Sequence, residues 1–249
     1  MILIVANDKR MTYVAEILAK SFKVRHYGEN IEMATVKFAI LPFKIDEVEM
    51  GKLIKELPHD CLIFTPIMRC FLQNIPQPIE VIMDQDEIAI YNSIPTSEGT
   101  LYYIMKNTEC TIHNSNIHVI GAGRCGETLA KNLKALGANV TISSRSPKLV
   151  ARLFESGIPV TNTDATTLKN ADIIVNTVPA LMLDESQLKY VKKDVYIADI
   201  ASAPGGVDFE SAKALGINAE LLPALPGIVA PRTAAIYLAD FIKRKIEQN

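Results

Sequence analysis

The chain has 249 residues, with 26 Lys and Arg against 28 Asp and Glu, a net charge of -2 and 49% hydrophobic residues. That length suits two modest domains with substantial cores, and with no basic block anywhere nucleic acid is excluded as an expected partner. No apolar run approaches the ~20 residues of a membrane span, so a protein free of the membrane is expected. Cys61, Cys70, Cys110 and Cys125 lack C-x-x-C spacing, and His26, His59, His113 and His118 are scattered. Free thiols in a reducing cytoplasm and no metal site follow as expectations.

Met1 to Ala6 is an apolar run with neither a charged start nor a cleavage site, and it reads as a strand rather than a signal peptide. The polar turn Asn7, Asp8, Lys9 leads into Met11, Val14, Ile17 and Leu18 at helical spacing. Strands are predicted at Phe22–Tyr27, Val36–Leu41, Cys61–Thr65 and Ile79–Met83, with a helix from Asp46 to Leu57 stopped by Pro58. Such alternation argues for a parallel sheet covered on both faces, in a first domain over residues 1–95. Arg10 sits just beyond the first strand, where open parallel sheets place ligands. The plain alternative is a solvated charge in the first helical turn.

Residues 84–116 have the character of a connector. Thr96 is placed to cap a helix from Ser97 to Asn107, with Glu98 near its start, in a connecting segment over residues 96–112. Ser93, Thr96 and Glu98 would then stand at the rim of a cleft between domains, unless they serve capping alone.

The third region, residues 113–249, opens on IHVIGAGRCG, an apolar run breaking into Gly121, Gly123 and Gly126 at the spacing G-x-G-x-x-G. The first glycine permits a tight exit from a strand, the second lets a pyrophosphate approach the backbone, and the third packs helix on strand. Arg124 and Cys125 lie inside the turn, Cys125 as a small packing residue rather than a nucleophile, because no base is near it in sequence. Thr128, Leu129, Leu133 and Leu136 continue as a helix that Gly137 ends, and Asn139–Ser143 is the next strand. This βαβ unit of about 28 residues makes the glycine motif a dinucleotide fingerprint.

The end of the second strand chooses the dinucleotide, because an acidic residue there bonds the ribose hydroxyls of NAD. Ser143, Ser144, Arg145 and Ser146 stand there instead, which suits the 2′-phosphate of NADP, with NAD as the second choice. A helix over Lys148–Ser156, a short strand near Val160 and a buried strand over Asp172–Thr177 follow. Asn176, Thr177 and Pro179 close that last strand where the cofactor is expected. Asp199 ends the strand Val195–Ile200 and is read as orienting a ribose, accepting backbone N–H groups from the glycine turn or assisting proton transfer, in that order. After the strand Asn218–Leu222, a stiff loop with Pro226 and Gly227 precedes a terminal helix opened by Arg232 and Thr233 and running to about Glu247. Ile236, Phe241 and Ile242 on that helix would dock on the first domain or on another subunit, which leaves a homo-oligomer open. The fold class is therefore α/β, with two doubly wound parallel-sheet domains, the C-terminal one of Rossmann type.

The runs AIYNSIPTSEGT, TIHNSN, GAGRCGETLAKNLKALGANV, DIASAPGGVDF and LPALPGIVAPRTA resemble the A subunit of dipicolinate synthase over nearly the whole chain. The Pro226–Thr233 segment is also similar to the proline-rich loop facing the nicotinamide in methylenetetrahydrofolate dehydrogenases. The resemblance implies an enzyme of spore-forming bacteria that oxidises dihydrodipicolinate to pyridine-2,6-dicarboxylate with NAD(P), together with the flavoprotein-like B subunit of dipicolinate synthase. It also implies a base, with Glu98 the candidate and a hydroxyl-bound water near Ser93 or Thr96 behind it, and cations for two carboxylates, Arg10 and Arg232. Residues 41–60 depart from the resemblance, because the first domain looks shorter there. Two other readings share the architecture: a shikimate- or hydroxyacid-type dehydrogenase, and a regulatory subunit that binds NADP without turnover.

Overall fold

A computed structural model describes all residues, Met1–Asn249, and divides them into two compact units: Met1–Tyr91 with Ala230–Asn249, and Asn92–Val229. The first unit is built on five parallel strands in the order β2-β1-β3-β4-β5: β1 (Ile2–Ile4), β2 (Val24–His26), β3 (Phe38–Ile40), β4 (Leu62–Thr65) and β5 (Ile79–Val81). Alternation along the strands sends side chains to opposite faces. Ile2, Ile4, Ile40 and Phe64 pack with α1 (Lys9–Leu18) and α10 (Pro231–Glu247), while Leu3, Ala39 and Ile63 pack with α2 (Glu47–Glu56). Asp8 caps α1 by accepting from Met11 N, and Asp46 caps α2.

Here a sequence expectation fails. The terminal helix α10 belongs to the first unit, not to the dinucleotide-binding region, and its Leu238, Phe241 and Ile242 are buried against α1 and the sheet. Its salt bridges run the same way, from Arg244 to Glu87 and from Lys245 to Glu80. Phe241 and Ile242 are thus core, and of the three apolar positions only Ile236 stays exposed.

The second unit repeats the architecture with β10-β9-β8-β6-β7, all parallel: β6 (Asn116–Ile120), β7 (Asn139–Ser143), β8 (Ile173–Asn176), β9 (Tyr196–Asp199) and β10 (Asn218–Leu221). One face is covered by α3 (Asp86–Asn107), α4 (Arg124–Ala135) and α5 (Pro147–Glu155), the other by α6 (Ala165–Asn170), α7 (Glu185–Leu188) and α8 (Phe209–Ala214). The short helix α9 (Leu225–Val229) occupies the stretch expected as a stiff loop, and Gly99 of α3 lets Leu225 and Val229 approach closely, since a Cβ there would lie 3.1 Å and 3.2 Å from them. Val160 forms only an isolated bridge with Ile142.

The connecting helix α3 starts at Asp86, well before the expected Ser97, and carries Pro95 inside it. Asp86 and Glu87 supply the acidic first turn that favours a helix start. Thr96 is therefore no cap. Its hydroxyl donates to the Asn92 carbonyl at 2.7 Å, the back-bond of a threonine within a helix. No helix is long and apolar enough to cross a membrane.

Candidate functional site

In the second sheet β6 is followed by β7 on one side and β8 on the other, so the chain reverses direction across the sheet beside β6. Ligands of open α/β sheets sit at such a reversal, beyond the carboxyl ends of the strands. Three segments converge there: Gly121–Gly126 after β6, Ser143–Ser146 after β7, and Asn176–Pro179 after β8.

Each glycine answers to a different constraint. Gly121 has φ +95, and a Cβ on it would fall 2.5 Å from Thr177 Oγ1 and 2.6 Å from Val178 Cγ2. A Cβ on Gly126 would run into the Gly121 carbonyl oxygen. Around Gly123 nothing lies within 4 Å of that position. Two glycines therefore close the turn upon itself, while the middle one leaves open space at the start of α4, whose first N–H groups have no side-chain cap. A cradle of that shape fits the pyrophosphate of a dinucleotide.

From the turn a cleft of about 490 Å³ extends past Ser143–Ser146, Thr161–Thr163, Thr177–Pro179 and Met182. None of the residues lining it is acidic. Arg145 is exposed there and pairs with no carboxylate, while Ser144 Oγ accepts from Ser146 N at 3.2 Å and Ser146 caps α5. A carboxylate beside the turn, Glu127, is buried in α4, where it accepts from Lys131 and Arg152 at 2.8 Å each. Its charge is thus spent on tying α5 to α4. Arg124 opens α4 at the exposed lip. Cys125 beside it is half-buried, and burial pushes its thiol up, although the Thr96 hydroxyl and the Arg124 charge act the other way.

Thr161, Asn162 and Thr163 are lining residues that sequence reasoning missed. They follow the lone Val160 bridge and carry no periodic signal, but Thr161 Oγ1 is buried without a hydrogen-bond partner, a hydroxyl for a ligand to satisfy.

Asn176 and Asp199 are wholly buried at the ends of adjacent strands. The Asn176 amide donates to Asp199 Oδ1 at 2.9 Å and to the Val178 carbonyl at 2.9 Å. Asp199 also accepts from Ala201 N at 3.0 Å and from Gly206 N at 2.6 Å. Asp199 thus accepts backbone N–H groups, but from the loop that follows its own strand rather than from the glycine turn. Both its oxygens are engaged by these three donors. Thr177 Oγ1 donates to the Ile120 carbonyl at 2.9 Å and lies 3.3 Å from that of Gly121, joining the loop after β8 to the glycine turn.

The residues expected on α3 divide. Ser93 is buried and shares a 2.8 Å hydrogen bond with Thr128 of α4, and one turn on Ser97 accepts from Asn132 at 2.9 Å. Ser93 and Thr96 thus join in fixing α3, whereas Glu98 is exposed and makes no hydrogen bond or ion pair. Pro226 and Gly227 lie within α9 and do not line the cleft.

In the first unit Arg10 is not the solvated charge of the plain reading. It is 8% exposed, its guanidinium lies 3.5 Å over the Phe43 ring, and it donates to Asp8 Oδ2 at 3.1 Å. Arg232 is exposed in the first turn of α10.

Residues 98–208 match the NAD-binding domain of the D-isomer specific 2-hydroxyacid dehydrogenases. The chain is 41% identical over 197 residues to the A subunit of dipicolinate synthase from Bacillus subtilis, an alignment taking in 77% of this chain and 66%, just under two thirds, of that protein. The crystal structure of the dipicolinate synthase A subunit from Bacillus halodurans superposes with a TM-score of 0.92 at 31% identity, covering 98% of this chain and 96% of that one. The crystal structure of the Bacillus subtilis protein gives 0.89 at 31% identity, with 99% and 95% covered. The D-lactate dehydrogenase of Escherichia coli shares the fold alone, at 0.68 and 14% identity. By this whole-length likeness, the chain belongs to the family of dipicolinate synthase A subunits.

Proposed function

We propose that the chain oxidises dihydrodipicolinate to pyridine-2,6-dicarboxylate with NADP, as the dehydrogenase component of a two-subunit synthase used in spore formation. The observation that carries this reading is the glycine cradle opening onto a cleft without acidic side chains, in a chain similar to the dipicolinate synthase A subunit along its length. A bound nicotinamide supplies the hydride acceptor for a ring that becomes aromatic. The chain's own residues do the rest.

Gly121, Gly123 and Gly126 would hold the pyrophosphate, with Arg124 and Cys125 at the lip, and Ser144 and Arg145 would meet the 2′-phosphate. Thr177 and Pro179 would border the nicotinamide end, held by the buried Asn176–Asp199 pair. Arg10, with most of its donors still uncommitted, would take one substrate carboxylate, and Arg232 is the sequence candidate for the other. Glu98, unpaired and exposed, would accept the ring proton as the hydride leaves. Pro226 and Gly227 would act through the seat of α9 on α3.

Product formation followed by ultraviolet absorbance, with NADP and with or without the B subunit, tests the reading. Aromatic dicarboxylate should accumulate with both subunits present. Substitution Glu98→Gln should then lower kcat by about 100-fold or more with KM little changed. No product in any combination would sink the reading and favour a protein that binds NADP without turnover.

A further inference from the structure

We propose that Arg10 and Arg69 form a two-point cationic site at the carboxyl edge of the first unit's sheet, one guanidinium for each carboxylate of a small planar dicarboxylate. Both arginines carry a buried Nε with no hydrogen-bond partner. Buried polar atoms are nearly always satisfied, so an orphaned guanidinium nitrogen points to an anion that completes it. Two such nitrogens stand on one edge of one sheet.

Arg10 follows β1 and Arg69 follows β4, and in the strand order β2-β1-β3-β4-β5 only β3 separates them. Two strand spacings of about 4.8 Å set the strand ends about 10 Å apart. A ring bearing two carboxylates spans that gap when each end adds a charge-assisted hydrogen bond of about 2.8 Å. Between them, β3 runs on into Pro42 and Phe43, and the Phe43 ring already carries the Arg10 guanidinium at 3.5 Å. In the proposed site a flat ring acid would lie beside that aromatic surface, with one carboxylate toward each cation.

Arg69 is well set for this. Thr65 at the end of β4 donates its hydroxyl to the Ile67 carbonyl at 3.0 Å and so shapes the turn, and Arg69 then precedes the 3-10 turn Cys70–Leu72 in an extended conformation. It pairs with no carboxylate. Asp8 does bond Arg10, but its other oxygen caps α1 through Met11 N at 2.9 Å, which divides its charge. Asp84, beyond β5, is exposed and lies outside the pair. Arg232, in contrast, is an exposed surface arginine. The choice of a dicarboxylate rests on the function proposed above; the two unpartnered guanidinium nitrogens do not.

Calorimetric titration of the full chain with pyridine-2,6-dicarboxylate and with pyridine-2-carboxylate, NADP present, tests the site. The unaltered chain should prefer the dicarboxylate by 10-fold or more. Arg69→Ala should bring the two ligands within about twofold of each other, Arg69→Lys should restore part of the preference, and NADP affinity should stay the same in both, which also reports that they fold. No preference in the unaltered chain, a preference surviving both Arg69 variants, or its loss in Arg232→Ala instead would each overturn the site. A dicarboxylate preference abolished by Arg69→Ala, without product in the turnover assay, would leave the site standing and remove the proposed reaction. Product formation with an Arg69-independent preference would do the reverse.

Discussion

Asn176 donates to Asp199 across 2.9 Å between two fully buried side chains, and that bond couples the loop after β8 to the loop after β9. Asp199→Ala would strand three donors at once: the Asn176 amide, Ala201 N and Gly206 N. At about 1 to 3 kcal/mol for each buried group left unsatisfied, urea unfolding should show a loss of about 3 kcal/mol or more. Asp199→Asn, which turns an amide donor toward one of those N–H groups, should recover little of it. A loss below about 1 kcal/mol in the alanine variant would show that the loops hold without the carboxylate.

The glycine turn predicts opposite phenotypes for neighbouring substitutions. A methyl at Gly126 would collide with the backbone carbonyl of Gly121, so Gly126→Ala should be destabilised even without ligand. At Gly123 the same methyl meets nothing within 4 Å, so Gly123→Ala should melt near the unaltered chain. Yet it fills the space kept for the pyrophosphate, and its affinity for NADP and NAD should fall together, by about 10-fold or more for a displaced set of charge-assisted hydrogen bonds. Melting curves and fluorescence titration of the reduced dinucleotides would separate the pair. Unchanged affinity in Gly123→Ala would place the phosphates elsewhere.

Much of this arrangement is legible in the residues alone, for physical reasons. The second unit's βαβ start carries its own punctuation in Gly121, Gly123, Gly126 and Gly137, and the parallel strands appear as short apolar runs because both faces are covered. What linear reading misses depends on distant contacts. Linear reading offers Phe241 and Ile242 the first domain or another subunit, and only the packing against α1, more than 200 residues away, decides between them. Thr96 and Glu98 imitate a helix start, but Asp86 and Glu87 mark the true one, and Pro95 masks the continuity between them. Asp199 is legible as costly, though only the structure shows its oxygens committed to backbone donors. Arg69 and Thr161 carry no motif, and their interest lies wholly in one buried polar atom each, Nε and Oγ1, that has no hydrogen-bond partner.

Dinucleotide choice should turn on Arg145, which is exposed at the end of β7 and pairs with no carboxylate. A bidentate contact to a 2′-phosphate is worth about 1.5 to 3 kcal/mol, so Arg145→Ala should weaken NADP by about 10- to 100-fold and leave NAD nearly unchanged. Arg145→Asp should go further and favour NAD, because a carboxylate there repels the phosphate and can bond the ribose hydroxyls. Dissociation constants for both cofactors, measured at two salt concentrations, would check this. Equal losses for NAD and NADP would assign Arg145 to the shared part of the cofactor.

His118, buried in β6 behind the cleft, makes stability depend on pH. Its Nδ1 lies 2.9 Å from Thr141 Oγ1 and its Nε2 lies 3.2 Å from Thr163 Oγ1, which in turn donates to Ser143 Oγ on the cleft wall at 3.0 Å. A neutral imidazole, one donor and one acceptor, satisfies both hydroxyls. Burial pushes its pKa down from 6.5 to about 4, with the charge of Asp164 opposing. Because the folded value is the lower one, the unfolded chain binds the proton first. Stability from this group is intact above about pH 6.5 and is lost as the pH falls toward 4. Between pH 7 and pH 5 that loss is about 2 kcal/mol, from a single proton taken up on unfolding. Urea unfolding at the two pH values should show it in the unaltered chain, and His118→Asn should show a difference smaller by that amount. An equal pH dependence in the two proteins would assign the proton to another group.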